Sequence, residues 1–455
     1  MLKEKNYQIQ KEHLEELIAN PEHFEHKHAN EIAKILKEIY HNEEKDIFLN
    51  YINSIPKEYL GEVLLELPEY IKDDALEDLS AKELAEAVEE LDSDDAADLI
   101  QDIEELDEDK TQEILEDLDD EDVKNIQKLR KYSDDEAGSL MQTELFSAKL
   151  DSNIGRSIQR LKKLKDETGL DNIYHVFLID DFGYLIGFMP LEDVITFDFN
   201  KTYRDYLQEK YKRVKSLKDT ASIDELVKTF EDFNIIVLPI IDNDGKLIGR
   251  VTYDDIIDII EDRATDQIYK MAGVDEEVEE DRDVTTITKK RAIWLGINLV
   301  TAIAASLVIG LFDSTIQSYV ALAVLMPIVA SMGGNAGTQS LTVMVRQLAL
   351  EEIKWNEAKA SIIREVLVSL LNGLIFAIIM GAIAYFWFGN VKLGFVMATA
   401  MVINLFFAGL FGAAIPLTLK RLNIDPAVAS SVLLTTVTDM VGFFAFLGLA
   451  KLILI

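Results

Sequence analysis

Lys289-Lys290-Arg291-Ala292-Ile293-Trp294-Leu295-Gly296-Ile297-Asn298-Leu299-Val300-Thr301-Ala302-Ile303-Ala304-Ala305-Ser306-Leu307-Val308-Ile309-Gly310-Leu311-Phe312 sets three cations against 21 uncharged, mostly apolar residues. As a helix such a run extends about 30 Å, the thickness of a bilayer's hydrocarbon core, so 292–312 is expected to cross a membrane. Reading outward, four more runs of suitable length lie near 319–345, 362–388, 393–419 and 428–455, which makes five spans. Lys289, Lys290 and Arg291 precede the first, Arg346, Lys354, Lys359 and Arg364 lie between the second and third, and Lys420 and Arg421 follow the fourth. The other connections hold no Lys or Arg at 313–318 and Lys392 alone near Asn390. The positive-inside rule therefore places residues 1–283 in the cytoplasm and Ile455 outside, as an odd number of spans requires.

Upstream of 284 the composition changes sign. Residues 284–455 hold 11 Lys+Arg against 7 Asp+Glu, residues 1–283 hold 34 against 75, and the 455-residue chain as a whole carries −37. Such an excess repels a phosphate backbone, which excludes nucleic acid as a partner and favours cations. The chain has no cysteine, which excludes a disulfide framework, thiolate zinc sites and thiol catalysis.

Ionisable side chains inside a span are costly and mark function by default. Asp439, in Thr435-Thr436-Val437-Thr438-Asp439-Met440-Val441-Gly442, falls near the middle of the last run, out of reach of either interface for so short a side chain. Thr435, Thr438 and Gly442 line up with it at helical spacing, a small polar face suited to a pore wall or to hydrogen-bonded helix packing. In the second run, Pro327-Ile328-Val329-Ala330-Ser331-Met332-Gly333-Gly334-Asn335-Ala336-Gly337-Thr338-Gln339 predicts a broken or a closely packed helix. Beside an intramembrane Asp, this assigns Gly334, Asn335, Thr435 and Thr438 to a pore. One carboxylate per chain suits Mg2+, a hard ion that dehydrates reluctantly and is held by one or two carboxylates while it keeps its waters. In a symmetric homodimer two Asp439 side chains would flank one hydrated ion.

The acidic half contains a duplication: 175–194 parallels 237–256, with Ile179-Asp180-Asp181-Phe182-Gly183-Tyr184-Leu185-Ile186-Gly187 answering Ile241-Asp242-Asn243-Asp244-Gly245-Lys246-Leu247-Ile248-Gly249. Each copy reads strand, Gly turn, strand, helix. Before it, Leu67, Leu79, Leu91 and Ile103 recur every 12 residues with acidic turns between them, which predicts short stacked helices. Asp94 and Asp98 lie one turn apart on one helical face, and Asp92 or Ser93 would cap the same helix without any metal. A last helix, 254–273, carries acids at 254, 255, 258, 261, 262 and 266, read either as a solvated face or as a switch that repels at low cation and closes when a cation bridges it.

The duplication resembles a tandem pair of CBS domains, and the whole chain resembles the MgtE family. The latter likeness rests on 333–339 (Gly-Gly-Asn-Ala-Gly-Thr-Gln), Asn423-Ile424-Asp425-Pro426-Ala427, Thr438-Asp439-Met440-Val441-Gly442 and Tyr132-Ser133-Asp134-Asp135-Glu136-Ala137-Gly138-Ser139-Leu140-Met141. It implies a multidomain membrane protein: an all-α helical-repeat N domain (1–137), two α/β CBS domains (138–200 and 201–260), a connecting helix (261–283) and a five-helix transmembrane domain (284–455). It further implies a homodimer in the lipid bilayer of the cell membrane that conducts Mg2+ and closes when Mg2+ binds its cytoplasmic parts. Asp439 matches the pore-metal aspartate. Asp94, Asp98, Asp224, Asp255, Asp258, Asp266 and Asp425 match regulatory positions, and Asn234 stands where relatives can carry Asp. Gly249, Thr252 and Asp255 match the CBS nucleotide-ribose pattern, which implies ATP; Asp255 thus falls in two sets. In copy one the pattern reads Gly187, Pro190 and Asp193, without the hydroxyl.

Two other classes compete with feedback-gated conduction: a coupled Na+- or H+-linked transporter, and a non-transporting CBS-type sensor. No enzyme is expected, because no Walker loop and no Ser/His/Asp set is present.

Overall fold

Each acidic turn of the N-terminal region ends one short helix and starts the next. The computed structural model describes residues 2–20, 24, 28–168, 170, 172–210, 214–274, 284–349, 358–422 and 424–455, so Lys354, Asn423 and the expected extension of the connecting helix over 275–283 lie outside the described residues. The chain divides into two compact units, Met1–Asp262 and Arg263–Ile455.

Nine helices lead the first unit among the described residues: α1 (Leu2–Ala19), α2 (Ala29–Asn42), α3 (Lys45–Ser54), α4 (Lys57–Leu65), α5 (Glu69–Asp78), α6 (Ala81–Val88), α7 (Ser93–Leu106), α8 (Glu108–Asp117) and α9 (Asp120–Leu129). The 12-residue rhythm has a packing cause: Leu67, Leu79 and Ile103 are buried in one continuous core and Leu91 packs against it. Ser80 opens α6 with a reciprocal capping box to Glu83, which satisfies two otherwise orphaned amides.

The duplicated segment forms two three-stranded sheets of the same design. The first contains β1 (Ser147–Lys149), β2 (His175–Ile179) and β3 (Leu185–Pro190); the second contains β4 (Leu217–Lys218), β5 (Val237–Ile241) and β6 (Leu247–Thr252), each in sequential order. The registers agree residue for residue: His175 faces Pro190 in one hairpin and Val237 faces Thr252 in the other, with an irregularity at the same place in both. The two turns also bond to one another, Leu185 N to Gly245 O and Leu247 N to Gly183 O.

The helices here are α10 (Ile154–Thr168), α11 (Leu191–Thr196), α12 (Tyr203–Lys210) and α13 (Ile223–Phe233). Tyr203 and Tyr206 of α12 are fully buried in the first copy's core, so the expected cut at 200/201 runs through that copy. Conversely, residues 137–142 bond to the second copy, through Ala137 N to Ala221 O, Gly138 N to Asp219 O and a mutual pair between Gln142 and Arg250. A side chain at Gly249 would meet Met141 at 2.1 Å, so this strand-like approach requires a glycine there.

Helix α14 (Tyr253–Ala272) leads out of the second copy. The second unit then holds five helices of membrane-crossing length: α15 (Val284–Gly310), α17 (Ala321–Ala349), α18 (Ala358–Phe388), α19 (Val391–Arg421) and α20 (Pro426–Ile453), with a short α16 (Asp313–Ser318) between the first two. Helix α19 is the most enclosed of the five and α15 the least, its apolar side chains exposed along almost its whole length. Of the two readings of the glycine-rich segment, the broken helix is corrected: α17 runs unbroken through 333–339 despite Pro327. The close-packing alternative is the one found, because a Cβ on Gly337 would lie 2.9 Å from Leu434 and one on Gly412 2.7 Å from Gly337 O.

Candidate functional site

In the second unit the sequence-marked residues sort by face. Asp439 is half-buried in α20, and no hydrogen bond or ion pair reaches its carboxylate among the described residues. Thr435, one turn earlier, is exposed, its hydroxyl donating to Ser431 O at 2.8 Å. On α17, Asn335 is exposed and donates weakly to Ser331 Oγ at 3.4 Å, while Gly334 borders open space. Thr438 is different. It is fully buried and its hydroxyl is spent on Leu434 O and Thr435 O, so it sits on the packing face and leaves the lining set.

Sequence reasoning passed over the residue that organises this region. Asn404 of α19 is fully buried and donates through Nδ2 to Val329 O of α17 at 2.7 Å. A Cβ on Gly333 would lie 2.3 Å from its amide and one on Gly442 2.8 Å, so glycines on α17 and α20 admit it from both sides. The signal was an uncharged polar residue inside a span, where the reading weighed chiefly ionisable ones. Glu365, buried near the start of α18 with Arg364 at 3.6 Å, was missed because it adjoins a basic flank.

At one end of this unit Asp425 is the N-cap of α20: one carboxylate oxygen accepts from Ala427 N at 2.8 Å. The other lies 3.4 Å from Lys270 Nζ, which holds Asp266 at 2.6 Å. Met271 packs with Leu341, Ala427 and Leu434.

The first unit gathers carboxylates where α7 and the end of α4 face the start of α14. Asp94 is buried, and its Oδ1 has no hydrogen-bond partner, an orphaned acceptor of the kind that a cation satisfies. Burial first, then repulsion from Asp95, Asp255 and Asp92, holds its carboxyl well above the usual range. Asp95 is pushed up to about 7 by burial and by Asp255, and Asp98 to about 6 by burial and by Asp102. Burial likewise raises Asp255 to about 6. Asp258 is raised by partial burial and by Glu66. Asp92, Asp95, Glu62 and Glu66 were missed, because in so acidic a sequence only the fold distinguishes a crowded carboxylate from a solvated one.

Neither expected cap closes α7 itself. The Asp92 side chain makes no capping bond, and Glu144 from the 130–146 connection accepts from Ser93 N at 3.2 Å and from Ser93 Oγ at 2.9 Å. Asp224 lies exposed in the first turn of α13. Among the described residues no three carboxylate or imidazole groups form a ready-made metal cage. That suits a dication that keeps its waters and leans on one or two carboxylates at a time.

Thr252 is buried, and its N–H and hydroxyl both donate to Asp255 Oδ2, at 3.2 and 2.8 Å, closing the first turn of α14. A cavity of about 330 Å³ lies elsewhere in the pair, lined by His175, Phe177, Phe188, Lys215, Phe233 and Pro239 among others. Lys215 Nζ stands 4.3 Å from the Phe233 ring centroid. Asn234, which also lines it, takes the left-handed conformation at φ 48° that ends α13, a place where Asn is tolerated.

Five membrane-length helices, the last with a carboxylate at its middle, attached to a CBS-bearing acidic half, define a multi-pass membrane protein of the cation-transporting class. The family model described as a divalent cation transporter, MgtE, matches residues 326–449, the MgtE intracellular N domain matches 27–135, and a CBS domain matches 210–262. The magnesium transporter MgtE of Thermus thermophilus is 30% identical over 321 residues, 70% of this chain and 70% of its own. That of Enterococcus faecalis is 33% identical over 317 residues, 70% and 68% of the two chains. Among solved structures, the soluble part of a magnesium transporter aligns over 57% of this chain and 99% of its own, at 25% identity and a TM-score of 0.49. The cytosolic domain of the Mg2+ channel MgtE in complex with ATP aligns over 52% and 92%, at 25% and 0.47. The chain belongs to the MgtE family of divalent cation transporters, and the family is one of transporters, not of enzymes.

Proposed function

We propose that this chain carries Mg2+ across the cell membrane and that its acidic half closes the route when cytoplasmic Mg2+ is plentiful. The observation that carries the transport reading is Asp439, a half-buried carboxylate at mid-span with no hydrogen-bond or ion-pair partner among the described residues, which calls for water or a cation. Mg2+ is the cargo. Asp439 would meet the hydrated ion, with Asn335 and Thr435 offering oxygen to its waters and Gly334 leaving room. The family resemblance favours a homodimer, in which two Asp439 side chains would share one passage. The basic flanks favour a cytoplasmic N-terminus and an external C-terminus.

Gating rests on the crowd around Asp94 and Asp255. Asp94, Asp95, Asp98, Asp255 and Asp258 would hold regulatory Mg2+, which supplies the positive charge that lets α4, α7 and α14 stay together. Without it their mutual repulsion favours separation. The aromatic CBS cavity with Lys215 suits an adenine nucleotide, whose ring would stack and whose phosphates would meet the cation.

The test is Mg2+ flux into liposomes holding the purified full chain, with Mg2+ on the cytoplasmic side varied from chelated to millimolar. Flux that falls as that Mg2+ rises is expected. Absence of flux at every concentration overturns transport, and flux indifferent to it overturns the gating.

A further inference from the structure

A protein-borne cation stands between two carboxylates of the second unit, Asp266 and Asp425. Lys270 Nζ lies 2.6 Å from Asp266 and 3.4 Å from Asp425, so the two carboxylate oxygens it joins are no more than 6.0 Å apart. A gap of that size or less is within reach of a Mg2+ ion that keeps its waters on one side. Both anions are held in place. Asp266 is one turn before Lys270 on α14, and Asp425 is fixed by its N-cap bond to Ala427 N at 2.8 Å. The neighbouring Met271 packs with Leu341, Ala427 and Leu434, so the charge contact sits beside an apolar one.

We propose that Lys270 is a positioning residue that seats the C-terminal end of α14 on the N-terminus of α20 without any dissolved ion, by neutralising the facing carboxylates Asp266 and Asp425. Two consequences follow from charge. The seat persists when Mg2+ is scarce, so regulation by Mg2+ falls to the carboxylates of the first unit. Removal of the ammonium leaves two facing anions, which turns the same contact into one that needs a dication. A lysine contributes a point charge and an arginine a fork, but either neutralises the pair. The inference rests on the transport reading for its consequence for flux, though not for the contact itself.

The chain has no cysteine, so labels can be placed at will. Spin labels at Ile268→Cys and Leu422→Cys, both exposed positions, report the distance between α14 and the end of α19 in the full chain in liposomes, diluted with unlabelled copies. In chelator the parent is expected to give one narrow distance. Lys270→Met in chelator should raise the share of longer distances about threefold, the scale of a partly exposed ion pair. Added Mg2+ should restore the narrow distance in Lys270→Met, but not when Asp425→Asn is added. Lys270→Arg should match the parent in chelator, which a merely space-filling lysine would not predict.

A Lys270→Met distribution identical to the parent's in chelator overturns the seat, and one that Mg2+ leaves broad overturns the exchange of ammonium for dication. Flux is measured on the same liposomes. If no variant carries Mg2+ while the distances behave as expected, the transport reading falls and the seat stands.

Discussion

Asp439 stands alone, whereas the carboxylates of α4, α7 and α14 stand in a crowd, and the difference separates two uses of the same functional group. A lone carboxylate in a low-dielectric span has no neighbour to repel, so its worth lies in what it attracts. In the crowd each carboxylate is already disfavoured by burial and by the others, with Asp95 held near 7 and Asp255 near 6. An arriving cation there relieves an existing cost. On the proposed reading the first arrangement would make a binding point for cargo, and the second a sensor whose resting state is strained by charge.

The sharpest way to break this contrast is to remove one charge from each side. Asp439→Asn keeps shape and loses the single charge, and Mg2+ flux in liposomes should fall by about two orders of magnitude, the scale for losing one partner of a desolvated charge contact. Flux within about threefold of the parent would mean that the membrane carboxylate is structural.

Asp95→Asn should act in the opposite sense on stability. Residues 1–262 have their own core. In chelator the variant of this unit should melt about 3 °C above the parent, since one buried, repelled charge is gone. Its gain in melting temperature on adding Mg2+ should shrink, because fewer charges remain for the ion to satisfy. A lower melting temperature in chelator would show that Asp95 is held by contacts worth more than the repulsion.

Protons should imitate the cation. Carboxyls raised in the folded state bind protons more tightly there than in the unfolded chain, so lowering pH stabilises the fold. In chelator, the first unit's stability should rise as pH drops from 8 through about 7 and 6, the values of Asp95, Asp98 and Asp255, and level off near the ordinary carboxylate range. The increment given by Mg2+ should accordingly be larger at pH 8 than at pH 5.5. Thermal melts across that range check it, and an increment independent of pH would separate the Mg2+ site from this cluster.

How much of this contrast was legible in the sequence depended on whether a signal was periodic or relational. Spans, the CBS duplication and the 12-residue rhythm are repeats, so the apolar runs, Gly183 with Gly245, and Leu67 through Ile103 announced the elements. Asp439 was legible because charge is rare around it. Asp95, Glu62 and Glu66 were not, because charge is everywhere around them and only folding shows which carboxylates confront another. Asn404 and the orientation of Thr438 were hidden for a related reason: helical spacing assigns residues to a stripe about 100° wide, and the difference between facing a passage and facing Leu434 is smaller than that. Lys270 lay within a helix noted only for its acids.

The finest test lies where the crowd also does structural work. Glu144 caps α7 through Ser93, yet it repels Asp92. Loss of an N-terminal cap costs about 1 kcal/mol, and loss of a screened repulsion returns an amount of the same order, so the two substitutions at this position should part company. Glu144→Gln keeps an acceptor for Ser93 and sheds the charge, so in chelator the unit should melt at or slightly above the parent's temperature. Glu144→Ala sheds both and should melt about 3 °C below the Gln variant. If the two melt together, Ser93 has found another acceptor and the order at the start of α7 does not depend on the connection. If both melt well below the parent, the carboxylate at 144 belongs with the caps and not with the crowd, and the boundary between sensor and scaffold moves one residue group toward α7.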